Sequence, residues 1–150
     1  MPATLLLTRK LMDATRKLKQ RIIARELVLG MLITDHVWPG LIELCHGAGL
    51  DYVIVDQEHG PHSDQEVADA CQIGRLLGFP VLARPRLTDE LSLRRLIDMG
   101  PSGLLLPCVE SREHLDRTCQ VLQMPPRGTR RPGGPGNAWV KDYRCETWAR

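Results

Sequence analysis

The segment Asp56-Gln57-Glu58-His59 places two carboxylates and an imidazole within four residues. A histidine side chain takes or gives a proton near neutral pH, and a nearby carboxylate orients its ring and favours its charged form. The segment directly follows residues 51–55 (DYVIV), a β-branched and aromatic run that predicts a strand. One hypothesis is therefore proton transfer at the end of this strand, and the other is a polar turn whose acids only cap the next helix.

Arg84 ends the next predicted strand, residues 80–84 (PVLAR). In parallel α/β folds the carboxyl ends of the strands share one edge, where ligands bind, so we expect Arg84 to lie near His59. A guanidinium binds an oxyanion through two parallel hydrogen bonds, which suits a carboxylate or keto oxygen. The alternative is a surface ion pair between Arg84 and Glu58 or Asp89.

The elements that must position these side chains alternate along the chain. Apolar runs predict strands at 28–33, 51–55, 80–84 and 103–107, and helical spacing follows each of them at 39–47, 63–77, 88–99 and 111–123. Ser63, Thr88 and Ser111 are the predicted helix N-caps. Strands that alternate with helices predict a parallel α/β fold, in one domain over residues 1–150.

The two ends of the chain differ from this pattern. Residues 1–26 carry seven basic and two acidic side chains, and from Thr8 to Glu26 the apolar residues have near-helical spacing, which predicts a basic amphipathic helix. Residues 124–141 are rich in Gly, Pro and Arg. Because they lack the spacings of phosphate-binding loops, an active-site flap or an inter-subunit loop is the preferred interpretation. Residues 142–150 are compatible with the start of another helix.

Composition argues against several classes of partner. The net charge is only +2, and no aromatic residues interleave with the basic residues of the N-terminal helix, so we expect no nucleic-acid partner. No apolar run approaches the length of a membrane span, so we expect no membrane partner. The five cysteines are Cys45, Cys71, Cys108, Cys119 and Cys145. Their scatter, without a CxxC pair, predicts reduced buried thiols in a cytoplasmic protein.

Five segments carry a family resemblance. They are GMLIT, AGLDYVIVDQEHGP, PVLARP, LIDMGPSGLLLPCVES and MPPRGTRRPGG, in this order. Together they resemble the HpcH/HpaI family, class II pyruvate aldolases typified by hydroxyheptenedioate aldolase, from about Lys17 onwards. The resemblance implies an α/β fold, a partial (β/α)₈ TIM barrel of about four units, which forms one incomplete domain over residues 1–150 because a complete barrel needs about 250 residues. It implies a carbon–carbon lyase that reversibly cleaves a 4-hydroxy-2-oxo acid to pyruvate and an aldehyde. It also implies a small-molecule oxo-acid substrate and a homo-oligomer.

The resemblance also implies roles for individual residues. His59 matches the base, which works with a metal-bound water, and Asp56 matches the aspartate paired with that histidine. Arg84 matches the arginine that contacts the keto oxygen and steadies the enolate. Pro107 is placed with Arg84 among the substrate-binding residues, and Glu58 is expected to have a structural or hydrogen-bonding role.

A divalent metal, Mg²⁺, Mn²⁺ or Co²⁺, is the cofactor that the resemblance implies, acting as a Lewis acid on bound pyruvate. In the family, a glutamate and an aspartate on later strands hold it, and those strands would follow Arg150. We therefore expect no metal ligands in this chain and a barrel that is open along one edge and one face. The alternative to catalysis is a truncated fragment that binds an oxo acid or a partner barrel without turnover.

Overall fold

The fold is a single parallel sheet with helices between its strands. It is seen in a computed structural model that describes residues 3–131 and 133–135, with the side chains of residues 3–12 left out of the description. The elements in chain order are α1 (Ala3–Ile23), β1 (Gly30–Ile33), α2 (Pro39–Gly47), β2 (Tyr52–Asp56), α3 (Asp64–Leu77), β3 (Val81–Arg84), α4 (Glu90–Met99), β4 (Gly103–Leu104) and α5 (Arg112–Leu122). The strand order is β1-β2-β3-β4, and all neighbours are parallel, which confirms the predicted α/β half-barrel.

Two predicted boundaries were wrong. β4 covers two residues instead of the predicted 103–107. The Leu105 N–H still donates to the Ala83 carbonyl oxygen at 3.0 Å, but Pro107 has no N–H to continue the ladder. The first helix begins at Ala3, five residues before the predicted start at Thr8. The helix considered at 142–150 lies outside the described residues.

The two faces of the sheet have different surroundings. Ile33, Val55 and Ala83 are register partners in neighbouring strands, and all three are buried with the apolar side of the helices. Alternate residues of a strand point to opposite faces, so Leu32 lies on the other face of the sheet. There Leu32 is 43% exposed, and Leu105, beyond β4, is 41% exposed. Within the described residues, the face that would line a barrel interior is therefore only partly covered.

The predicted caps of two helices are confirmed. The Ser63 Oγ accepts from the Glu66 N–H at 3.3 Å, and the Glu66 carboxylate accepts from the Ser63 N–H at 2.8 Å, which completes a capping box. The Ser111 hydroxyl accepts from the His114 N–H at 3.0 Å. These caps fix the start of α3 and α5 just after the strand ends.

The predicted cap of α4 was wrong by one residue. Asp89, not Thr88, is the N-cap, and its carboxylate accepts from the backbone N–H groups of Leu91 and Ser92 at 3.0 and 3.1 Å. The Thr88 hydroxyl instead lies 2.8 Å from the His114 Nε2 on α5. A charged acceptor at the positive end of the helix explains why the aspartate takes this position.

The four described cysteines are free, but they are not all buried. Cys45 and Cys71 lie in the core as predicted, and burial raises the pKa of Cys71 to about 12. Cys108 is exposed, so the prediction was wrong there, and Cys145 lies outside the described residues. No helix in the described part of the chain has the length and apolar character to cross a membrane.

Close packing between α3 and β3 generates a prediction for Gly74. A Cβ added there would lie 2.5 Å from the Val81 Cγ2 and 2.8 Å from the Phe79 carbonyl oxygen, whereas a Cβ on Gly47 of α2 would meet nothing within 4 Å. We expect Gly74→Ala to lower the free energy of unfolding by about 1–3 kcal/mol. Gly47→Ala, the matched control, should leave it unchanged or raise it slightly. Urea denaturation of both variants checks this, and equal effects would contradict the packing described.

Candidate active site at the carboxyl ends of the strands

The centre of the site is an ion pair between the last residues of β2 and β3. Asp56 and Arg84 are register partners in these neighbouring parallel strands. The Arg84 Nε donates to the Asp56 Oδ1 at 2.8 Å, and its Nη2 donates to Oδ2 at 2.5 Å. The Asp56 side chain is fully buried, and that of Arg84 is 18% exposed. This bidentate geometry fixes the plane of the guanidinium.

Backbone hydrogen bonds complete the surroundings of Asp56. Its Oδ1 also accepts from the N–H groups of Glu58 and His59, at 2.9 and 3.4 Å. The bonds from Arg84 hold the pKa of Asp56 below its ordinary value, against the opposing effect of burial and with help from these two N–H groups. Asp56 in turn raises the pKa of Arg84. Both partners therefore stay charged throughout the physiological range.

Glu58 brings the imidazole and the guanidinium to one place. Its Oε2 lies 3.2 Å from the Arg84 Nη1 and 3.8 Å from the His59 Nε2. The expectation that Arg84 and His59 are neighbours is confirmed, since both reach the same oxygen. The His59 side chain is 72% exposed, while that of Glu58 is 17% exposed. The mostly buried Glu58 carboxylate thus lies between the exposed His59 imidazole and the Arg84 guanidinium, whose orientation Asp56 fixes.

The structure differs from the predicted pairing of Asp56 with the His59 ring. Among the hydrogen bonds of the described residues, the one that joins His59 to Asp56 comes from the His59 backbone N–H. Both oxygens of the Asp56 carboxylate accept from Arg84. The ring lies near Glu58 instead. The reason is register, because Arg84 directly faces Asp56 across the sheet and His59 lies three residues further on. Arg84 also forms an ion pair with Glu58, one of the two partners named in the surface-pair alternative. Both side chains of this pair are mostly buried, whereas that alternative placed the pair at the surface.

The end of β4 contributes a thiol that sequence reasoning missed. Pro107 is buried at this end, and the next residue, Cys108, has a positive φ of 50° and an exposed side chain. The Cys108 Sγ lies 3.8 Å from the Glu58 Oε1. Its place directly after a predicted strand was the one available signal. The predicted substrate-binding residue Pro107 is thus adjacent in the chain to a side chain of the site.

Two buried polar residues support the loop after β2. Gln57 donates through Nε2 to the His62 carbonyl oxygen at 3.3 Å and to the Asp64 Oδ1 at 3.1 Å. The His62 Nε2 lies 3.2 Å from the Ile33 carbonyl oxygen, which requires the proton on Nε2. A Cβ on Gly60 would lie 2.2 Å from the Asp56 carbonyl oxygen, so the loop needs glycine here. His62, buried and bonded to the neighbouring strand, is thus a structural histidine.

The residues present do not by themselves fit a metal ion. In the described ranges, no group of three or more His, Cys, Asp or Glu side chains is placed to hold one. Asp56 is bound on both oxygens by Arg84, and Glu58 also contacts that guanidinium. Neither carboxylate is therefore available as a ligand without breaking the arrangement described here.

The Arg-rich loop lies away from this site, so its interpretation as an active-site flap was wrong for the described part. The Thr129 N–H donates to the Gln120 carbonyl oxygen at 2.8 Å, and the Arg130 N–H to that of Gln123 at 2.9 Å. These bonds tie the loop to the last turn of α5. In a βα unit this helix end lies at the opposite edge of the sheet from Arg84.

Comparisons with known proteins agree with this architecture. The family model described as HpcH/HpaI aldolase/citrate lyase matches residues 31–146. The chain is 32% identical over 115 residues to a hydroxypyruvate/pyruvate aldolase from Deinococcus radiodurans, covering 72% of this chain and 40% of that protein. It is 30% identical over 119 residues to a 4-hydroxy-2-oxo-heptane-1,7-dioate aldolase from Escherichia coli, covering 76% and 43%. The chain thus spans less than half the length of these relatives.

A solved structure gives the same result. The HpcH/HpaI aldolase from Desulfitobacterium hafniense DCB-2 superimposes with a TM-score of 0.73 at 31% identity, covering 83% of this chain and 47% of that one. A HpcH/HpaI aldolase/citrate lyase family protein from Burkholderia cenocepacia gives a TM-score of 0.74 at 23% identity, covering 88% and 54%. The second likeness concerns the fold alone.

The Asp56–Arg84 pair generates a prediction for acid stability. Because the pKa of Asp56 is lowered on folding, the pair should stabilise fully above the ordinary Asp pKa of about 3.9, with the contribution lost as pH falls through the lowered value. We expect Asp56→Asn to lower the free energy of unfolding at pH 7 by about 2–3 kcal/mol. Denaturant titrations from pH 8 to 2 should show the gap from wild type closing below about pH 4.

Asp116→Asn is the control, since Asp116 forms an exposed pair with Arg112 on α5. It should change stability by less than about 0.5 kcal/mol at every pH. A wild-type advantage over Asp56→Asn that is absent at pH 7, or unchanged at pH 2, would contradict the assigned pairing.

Proposed function

Because this chain belongs to the HpcH/HpaI aldolase/citrate lyase family, we propose that it carries the proton-transfer and oxyanion-binding side of a carbon–carbon lyase site. The substrate class would be 4-hydroxy-2-oxo acids, cleaved reversibly to pyruvate and an aldehyde. The observation that supports this most is the Glu58 carboxylate, which both His59 and Arg84 contact at the mouth of the sheet.

Arg84 would bind the keto oxygen of the oxo acid. A guanidinium has five N–H donors, and Asp56 takes two of them. The others remain for Glu58 and for a substrate oxygen. Because Asp56 also keeps Arg84 charged and fixes its plane, the guanidinium needs little rearrangement as negative charge develops on the enolate oxygen.

His59 would carry the proton. The exposed imidazole would take the proton from the C4 hydroxyl as the C3–C4 bond breaks, so that the aldehyde leaves and the bonding electrons remain in the pyruvate enolate. Return of that proton to C3 would give pyruvate and restore neutral His59. Glu58, within 3.8 Å of the His59 Nε2, would lie beside the imidazole while it carries this proton.

A divalent metal remains part of the proposal through the family, where it would polarise the oxo acid as a Lewis acid. Asp56, Glu58 and Arg84 together carry a net charge of about −1 when His59 is neutral. A cation at this mouth would offset that charge and so favour binding of an oxo-acid carboxylate. The described residues supply no three-ligand group for it. We therefore assign no step to the metal and no ligand to this chain.

A second candidate is binding of an oxo acid or a partner barrel without turnover. It is favoured by the partly covered face of the sheet with Leu32 and Leu105, which suits a packing partner. Self-association into a homo-oligomer is part of the first proposal. A cytoplasmic location is also proposed, and the free cysteines of the described residues are consistent with it.

Retro-aldol assays separate these two candidates. With a 4-hydroxy-2-oxo acid and Mg²⁺ or Mn²⁺, lactate dehydrogenase reports the pyruvate released. We expect His59→Ala and Arg84→Ala each to lower kcat by about a hundredfold or more, because each removes proton transfer or oxyanion stabilisation. Arg117→Gln is the matched control, since Arg117 forms an exposed pair with Glu113 on α5, outside the Arg84 cluster, and it should keep wild-type activity.

Pyruvate binding measured by calorimetry on the same proteins completes the test. Binding that requires Arg84, without any pyruvate release, would support the second candidate. Activity that is unchanged in both His59→Ala and Arg84→Ala would contradict the assignment of the site.

A further inference from the structure

A second group of cations lines a cavity at the other end of the molecule. The cavity has a volume of about 200 Å³ and lies between the C-terminal half of α4, the end of α5 and the loop after it. Its lining consists of Arg94, Ile97, Asp98, Val121, Arg130 and Arg131. Since α4 and α5 run away from the strand ends that carry Arg84, this cavity is separate from the proposed lyase site.

Positive charge exceeds negative charge in this cavity. Arg94 is paired with Glu90 at 2.7 Å, and its Nη2 also donates to the Thr129 carbonyl oxygen at 3.2 Å. Asp98 is the one carboxylate in the lining. With Glu90 counted against Arg94 and Asp98 against Arg130, the charge of Arg131 is left over, so the lining and its ion pair carry a net charge of about +1.

Two guanidinium nitrogens of the arginines that line the cavity are buried without a partner. The Nε atoms of Arg94 and Arg130 have no hydrogen-bond acceptor among the described residues. A buried donor left without an acceptor costs free energy, and such groups are uncommon in native proteins. Burial also lowers the pKa of Arg130, with Asp98 opposing that effect. These cations are therefore held in place with donors still to be satisfied.

Asp98 does not fill this need, because its carboxylate lies against the loop. A Cβ added to Gly133 would lie 2.7 Å from the Asp98 Oδ2, and one added to Gly134 would lie 2.5 Å from the Asp98 carbonyl oxygen. The loop backbone thus packs closely on this residue. The geometry leaves the arginine donors as the groups that face an incoming ligand.

We propose that this cavity binds a small oxyanion, a phosphate or a carboxylate group, through Arg94, Arg130 and Arg131. Guanidinium groups match the oxygens of both anions, and the excess positive charge of the lining would attract either of them. Pockets for drug-sized ligands measure about 300–1,000 Å³, so the cavity suits an anion of a few heavy atoms and is too small for a nucleotide.

Isothermal titration calorimetry on the full 150-residue chain tests this proposal without any need for turnover. Inorganic phosphate and acetate are the two probes, and chloride at equal ionic strength corrects for screening. We expect saturable binding of at least one probe, and which probe binds more tightly identifies the anion class. Arg131→Gln, at an exposed position, should weaken that binding about tenfold while leaving the unfolding midpoint without ligand unchanged.

Two further variants distinguish a built site from general electrostatics. Arg127→Gln removes an exposed arginine of the same loop that does not line the cavity, and it should leave the affinity unchanged. Asp98→Asn removes the one lining carboxylate and should strengthen binding, a gain that a damaged fold would not produce. No saturable binding of either anion, or equal losses in Arg131→Gln and Arg127→Gln, would overturn the proposal.

Discussion

The Asp56–Arg84 ion pair is the interaction on which the site depends. Because β2 and β3 are parallel and in register, their last residues face each other, and a buried carboxylate meets a guanidinium with two hydrogen bonds. Asp56 thereby keeps Arg84 charged and fixes its orientation, while the guanidinium still extends to the opening at the carboxyl ends of the strands. Both of these bonds go to Asp56, and the exposed His59 side chain takes part in neither of them.

The layers of the fold serve this presentation. Valines and alanines on one face of the strands pack into the helix layer, and this packing fixes the register that aligns Asp56 with Arg84. Buried Gln57 and His62 then fold the next segment back against β1, so that Glu58 and His59 turn over the strand ends. At the other edge, the loop after α5 is tied down by its own backbone and encloses a different group of arginines. The two ends of the sheet thus carry two separate clusters of charged side chains.

The fold and the location of the site could be predicted from the sequence, because apolar runs, helical spacing and caps such as Ser63 are local signals. The hydrogen-bond partners could not. The rule for parallel strands placed Asp56 and Arg84 at one edge, but only the register shows that they bind each other and leave the His59 ring to Glu58. The orientation of Cys108 and the burial of His62 also depend on contacts distant in sequence. The N-cap of α4 was predicted one residue too early because the Thr88 hydroxyl is hydrogen-bonded to His114 on the next helix.

The central claim is that Asp56 acts on an oxo acid through Arg84, and a double-mutant cycle on pyruvate affinity tests it most directly. Calorimetric dissociation constants would be measured for wild type, Asp56→Asn, Arg84→Gln and the double variant. We expect Asp56→Asn to weaken binding in the wild-type background and to have no further effect once Arg84 is replaced. The coupling energy between the two sites should then be well above the roughly 0.3–0.5 kcal/mol within which the effects of independent sites add. Additive losses, or no pyruvate binding by the wild-type chain, would contradict it.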